Sequence, residues 1–137
     1  MHLLIDGYGS PSRTLWDRAH LLGFLDKYPG HLGMSKISEP TVLTHEAPQP
    51  EDSGLTGFVI IAESHISVHT FPMRNYVNID IFSCRAFDSE RVLQDIKKFF
   101  ELHQVNSWVI DRGLEHYNPQ NATAPSVRAS TPEKGSR

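Results

Sequence analysis

Cysteine is almost absent from this chain: Cys84 is the single one in 137 residues. A lone thiol leaves no internal disulfide to form and suits a reducing compartment, so a cytoplasmic protein is expected. Long apolar runs are missing as well. The longest, Phe58 to Ala62, falls far short of the ~20 residues that a membrane-spanning helix needs. No basic stretch followed by an apolar core opens the chain, so no secretory signal is expected. There is no excess of basic residues: 13 Lys and Arg stand against 16 Asp and Glu, for a formal charge of −3. That balance argues against binding nucleic acid by phosphate neutralisation. What remains fits one soluble domain with a single core.

The chain divides into periodic segments. His2 to Tyr8 reads as a first strand. Ser10-Pro11 offers a cap and a proline at the first helical position, and Leu15, Ala19, Leu22 and Leu25 recur at helical spacing, so a helix is expected over 11–27, stopped by Pro29-Gly30. Met34 to His45, broken by Pro40, reads as an irregular or edge strand, and 47–54 as a loop rich in proline and acid. Thr56 to Ala62 reads as a buried strand that His65 to His69 continues, with His65, Ser67 and His69 on one side. Tyr76 to Phe82 alternates strictly. A second helix capped by Asp88 or Ser89 buries Val92, Ile96, Phe99 and Phe100, and 106–111 forms a last strand. The expected fold is α+β: a two-layer sandwich of a mostly antiparallel four-stranded sheet with two helices on one face. The other sheet face would be bare or meet a partner. The domain is expected to span 1–117, with 118–137 a disordered tail.

The reactive groups cluster between Thr56 and Cys84. Taken singly, each has a plain reading: a small buried thiol, hydrogen-bonded histidines, an ordinary serine. A metal site fails on spacing, because His65 and His69 would stand ~13 Å apart on a strand. No nucleophile elbow surrounds Ser64, and no local signature supports pairing Cys84 with His69 as in a cysteine protease. A third chemistry fits better. A serine on a constrained strand can attack the carbonyl of the residue before it, here Glu63. The resulting ester, opened by β-elimination, leaves a pyruvoyl group at position 64, an electron sink whose ketone condenses with a substrate amine.

The run Gly54-Leu55-Thr56-Gly57, the strand Phe58 to Ala62, Glu63-Ser64-His65, the segment Ile66 to Pro72 and Ile79 to Cys84 resemble the S-adenosylmethionine decarboxylase proenzyme family in its short prokaryotic form. The opening His2-Leu3-Leu4 resembles it too, and the likeness covers about 2–115. The resemblance implies that Ser64 is the pyruvoyl precursor, with cleavage after Glu63. It implies that His69 is the processing base, that Thr56 stands where the family usually carries a processing serine, and that Cys84 returns a proton to the substrate carbon after carbon dioxide leaves. It also implies a two-layer fold and a homodimer of cleaved protomers with active sites near the subunit interface. A non-catalytic regulatory homologue would be expected to have lost Ser64, His69 or Cys84, and all three are present.

Two departures bear on the substrate. The family motif ends in glutamate where this chain has Met73, and that glutamate is the residue expected to bind the ribose hydroxyls. Relatives carry an adenine-stacking aromatic residue in the loop where this chain has Pro50, with Glu46, Glu51 and Asp52 nearby. Losing acceptors for buried hydroxyls costs a few kcal/mol. An acidic loop suits a cationic tail, so a basic amino acid, L-ornithine or L-arginine, is the expected substrate, with S-adenosylmethionine as the alternative. Asp6, Glu51, Asp52 and Met73 are the expected substrate-binding positions.

Overall fold

Strict alternation in Tyr76–Phe82 buries Val77, Ile79 and Ile81 completely and leaves Tyr76, Asn78, Asp80 and Phe82 on the opposite face. This strand lies in the middle of a sheet that sets the architecture. The structure, a computed structural model, describes residues 1–113 and the strand at 127–134. The elements are β1 (His2–Tyr8), α1 (Ser12–Leu15), α2 (Arg18–His31), β2 (Thr41–His45), β3 (Gly54–Ile61), β4 (Ser64–Phe71), β5 (Tyr76–Phe82), α3 (Ser89–Phe99), β6 (Gln104–Ile110) and β7 (Val127–Lys134). The sheet runs β2-β3-β4-β5-β1-β6-β7, and every neighbouring pair is antiparallel.

One buried cluster joins Leu21, Phe24 and Leu25 of α2 and Val92 and Ile96 of α3 to Ile5, Val59, Ile66, Val68 and Ile79 of the sheet. Burying each such side chain contributes about 1.5–3 kcal/mol. The helices therefore share one sheet face, as the two-layer reading expects. The other face keeps Phe58 and Ile60 each 42% exposed and Leu43 58% exposed. Among the described residues no helix is long and apolar enough to cross a membrane.

The strand count differs from expectation: among the described residues the sheet has seven strands, not four. The stretch expected to run on from Thr56 to His69 folds back on itself at Ala62–Glu63, so that Ile61 pairs with Ser64. Two close approaches lock the hairpin. A Cβ on Gly54 would lie 1.8 Å from the Thr70 carbonyl oxygen, so no side chain fits there. The buried Thr70 hydroxyl accepts from the Leu55 N–H at 2.9 Å and donates to the Leu15 carbonyl at 2.9 Å, which ties α1 to the hairpin.

Two further expectations are corrected. The first helix is two helices, because Asp17 caps a new start by accepting from the His20 N–H at 3.0 Å. That break resets the phase, so Leu21, Phe24, Leu25 and Tyr28 are buried while Leu22 is 40% exposed. The helix then runs through Pro29 to His31, since burial of Tyr28 and Pro29 offsets the single lost hydrogen bond. The second correction concerns the tail. Residues 127–134 pair along β6 as an edge strand, with a register shift between Val105 and Ser107 that leaves Pro132 outside the ladder. The disorder expected for 118–126 and 135–137 lies outside the described residues.

Candidate active site

The β3–β4 turn carries the first group. Glu63 adopts φ 62°, a left-handed conformation that costs a residue with a side chain about 1–2 kcal/mol. The residue in this conformation carries the carbonyl of the Glu63–Ser64 peptide. Ser64 opens β4 with its side chain on the buried face, 8% exposed. The half-buried Cys84, just beyond β5, donates its S–H to the Glu63 carbonyl oxygen at 3.1 Å. The scissile carbonyl, the serine that follows it and the thiol expected to act as acid therefore meet at one end of the sheet.

The second group lies farther along β4 on the open face. Thr56 and His69 are register partners, and the Thr56 hydroxyl and His69 Nδ1 are 3.2 Å apart. The row continues across the sheet through Asn78 on β5, Asp6 on β1 and Asn106 on β6. Asp6 accepts from the Tyr76 hydroxyl at 2.8 Å and from Asn78 Nδ2 at 3.3 Å. Burial pushes the Tyr76 hydroxyl up to about 12, so it remains a donor to Asp6. Asn106 Oδ1 is buried with no hydrogen-bond partner among the described residues. Sequence reasoning missed Asn78 and Asn106 in this row. The signal was present for Asn78, because the alternation of β5 puts it on the polar side beside His69.

His69 and Ser64 are not brought together within one protomer. Five residue steps of extended strand lie between them, roughly 16 Å at 3.3 Å per residue, and their side chains leave opposite faces.

The third group lies beyond the far end of β4. Met73, in a short helical turn over Pro72–Arg74, is 62% exposed. Arg74 donates to Asp52 Oδ1 at 2.9 Å and to the Glu51 carbonyl at 3.2 Å. The Asp52 charge, expected to receive a cationic substrate, is thus already paired inside the chain. At the opposite end of the open face, His2 and His65 flank Phe82, with ring centroids 5.8 Å and 5.5 Å from it. Burial, helped by Arg112 and His65, pushes the His2 imidazole below its ordinary value against the pull of Asp80 at 3.6 Å.

Residues 1–113 match the family model described as S-adenosylmethionine decarboxylase. The chain belongs to the S-adenosylmethionine decarboxylase family. An S-adenosylmethionine decarboxylase proenzyme of Clostridium botulinum (strain Langeland) is 33% identical over 113 residues, 82% of this chain and 92% of the relative. A proenzyme of the same name from Archaeoglobus fulgidus is 46% identical over 63 residues, 44% of this chain and 54% of the relative. The crystal structure of the adenosylmethionine decarboxylase from Aquifex aeolicus superposes with a TM-score of 0.63 at 24% identity, covering 77% of this chain and 83% of that one; it shares the fold. As a member of the S-adenosylmethionine decarboxylase family the chain is a self-processing lyase of polyamine synthesis whose cofactor is a pyruvoyl group derived from Ser64. The local structure fits that group: the residue carrying the carbonyl to be attacked is left-handed, and a hydrogen-bond donor already rests on that carbonyl.

Proposed function

We propose that this chain decarboxylates S-adenosylmethionine as a homodimer of cleaved protomers. The observation that carries the reaction is the Glu63–Ser64–Cys84 cluster, where the carbonyl of the left-handed Glu63 accepts from the thiol at 3.1 Å. Ser64 Oγ attacks the Glu63 carbonyl carbon, and the Cys84 S–H steadies the charge that grows on the oxygen. The pyruvoyl group, once formed, supplies an electron-accepting ketone for loss of carbon dioxide from an α-amino acid. Cys84 beside it holds the proton that replaces the carboxylate on the substrate carbon.

Two observations favour S-adenosylmethionine over a basic amino acid. Relatives matched over most of their length carry that substrate in their names. The acidic loop that favoured ornithine or arginine is partly neutralised, because Arg74 occupies Asp52. Met73 remains the feature that favours a basic amino acid, since a thioether is only a weak acceptor for ribose hydroxyls. Carbon dioxide release from carboxyl-labelled S-adenosylmethionine, L-ornithine and L-arginine separates the two. S-adenosylmethionine is expected to lead in kcat/KM by about tenfold or more. Release from ornithine or arginine alone overturns the assignment.

The open sheet face supports a dimer. Its exposed Leu43, Phe58 and Ile60 form the kind of apolar surface that a second copy covers. The base for Ser64 is proposed to be the partner subunit's His69 with its Thr56 hydroxyl, because a protomer's own His69 lies roughly 16 Å along β4.

Replacing Cys84 with alanine separates its two roles. Self-cleavage is expected to slow by about tenfold yet go to completion, since a thiol is a weak donor to the Glu63 carbonyl. Turnover by the cleaved variant is expected to fall by about 10²-fold or more. Turnover equal to wild type removes Cys84 as the proton source.

A further inference from the structure

The turn that carries the scissile carbonyl is held from outside its own hairpin. Ala62 and Glu63 are the two central residues between the paired Ile61 and Ser64, and of the two only Glu63 has a positive φ. Two-residue hairpin turns that suit the twist of their strands have a positive φ at the first central residue. Here the first is Ala62, which has none, so the turn works against the twist of β3 and β4 and needs another hold.

The outer edge of β3 supplies one. β2 covers β3 only as far as Phe58, which pairs with Thr41. Beyond that point residues 35–37 take over as a strap. The Ile37 N–H donates to the Ile60 carbonyl at 3.0 Å, and the Ala62 N–H donates to the Ser35 carbonyl at 2.8 Å. Lys36 forms an antiparallel bridge with Ile61 between them. The last of these bonds falls one residue before Glu63. The strap is itself anchored at both levels. Met34 packs against the core, while the Lys36 ammonium pairs with the Asp26 carboxylate of α2 and lies 4.0 Å from Glu39. Ile37 is 66% exposed, so its backbone N–H, not its side chain, is what the strap uses.

We propose that the strap at 35–37 is a positioning element for self-cleavage: by holding Ala62 it keeps Glu63 left-handed, with its carbonyl carbon presented to Ser64 Oγ and its carbonyl oxygen on the Cys84 thiol. This role rests on self-cleavage at Ser64 and is independent of which substrate the mature enzyme decarboxylates. Three holds converge on Glu63: the strap through Ala62, β4 through the Ile61–Ser64 pair, and the Cys84 S–H. Only the strap lies outside the reacting cluster, so it can be loosened with every reacting atom left in place. Lys36 acts through it as a positioning residue and fixes the strap to α2.

The test follows the freshly translated full-length chain on a denaturing gel as the 137-residue band divides, at a temperature well below the thermal midpoint of every variant. Ile37→Pro deletes the donor to Ile60, and the bridging Lys36 already has the extended backbone that a following proline favours. It is expected to cleave about tenfold more slowly. Ile37→Ala keeps the N–H and is expected to cleave at the wild-type rate. Lys36→Met is expected to slow cleavage about threefold and Lys36→Arg to restore it, since arginine also pairs with Asp26. Asp26→Asn should match Lys36→Met, with the double variant no slower than either, as for two ends of one contact. A strap that serves stability alone would lower the thermal midpoint of Ile37→Pro and leave its cleavage rate at the wild-type value; that result overturns the proposal. Equal slowing in Ile37→Ala and Ile37→Pro overturns it too. A wild-type chain that never divides removes self-cleavage itself, a failure distinct from both.

Discussion

Replacing Ser64 with alanine leaves one unbroken 137-residue polypeptide on a denaturing gel, where the wild type gives fragments of 63 and 74 residues. Turnover falls to background, a loss of roughly 10⁶-fold or more, because both the nucleophile of self-cleavage and the source of the cofactor go with the hydroxyl. The fold should survive the change. Ser64 is a small side chain at the start of β4, and removing its oxygen leaves the Ile61 pairing and the buried Ile66 and Val68 in place. A far-ultraviolet circular dichroism spectrum and thermal midpoint close to those of wild type would therefore accompany the loss. Ser64→Cys is a useful companion, since a thiol can also attack the Glu63 carbonyl; slow cleavage without recovery of full turnover is its expected behaviour. Two fragments of the wild-type sizes from Ser64→Ala would mean that the chain is cut by another agent, and the assignment of Ser64 would fall.

Much of this site could be read before the fold was known, for reasons that lie in short-range periodicity. In β5 the side chains alternate without a fault, so the buried set Val77, Ile79 and Ile81 and the open-face set Asn78 and Asp80 follow from period two alone. The second helix was equally legible, because Asp88 supplies the cap and Val92 and Ile96 supply the stripe. The hairpin at Ala62–Glu63 was not. Its turn holds no glycine, proline or asparagine, the residues that mark turns by their backbone freedom. Glu63 is held in a left-handed conformation by the strands on either side, and nothing in its own chemistry announces that. The break between α1 and α2 was hidden in the same way, since Trp16 is no helix breaker and Asp17 also reads as an ordinary exposed acid. β7 was missed because Pro132 and polar neighbours argue against a strand, while an edge strand with a bulge accepts both. The pairing of Arg74 with Asp52 joins positions 22 apart and belongs to tertiary structure alone. It is the contact that most changes the functional reading, because it takes up charge that the sequence seemed to offer to a substrate.

The separation of Ser64 from His69 leads to the strongest test of the dimer. His69→Ala alone should leave the chain almost uncut, since losing a general base costs about 10²–10⁴-fold. Ser64→Ala alone is uncut as well. Co-expressed with distinguishable tags, the two inactive chains are expected to rescue one another. In the proposed two-fold dimer each site would join position 64 of one protomer to position 69 of the other. A mixed dimer then holds one site with both wild-type residues and one with neither. Cleavage should appear only in the His69→Ala chain, whose intact serine is served by the imidazole of the Ser64→Ala chain. Random pairing predicts turnover of about a quarter of the wild-type level, because half the dimers are mixed and each carries one working site of two. If His69 served the serine of its own chain, neither chain of the mixture would be cut and turnover would stay at background. The strand geometry favours the first outcome: five residue steps of extended strand hold the imidazole roughly 16 Å from its own Ser64, beyond the ~3 Å reach of proton transfer.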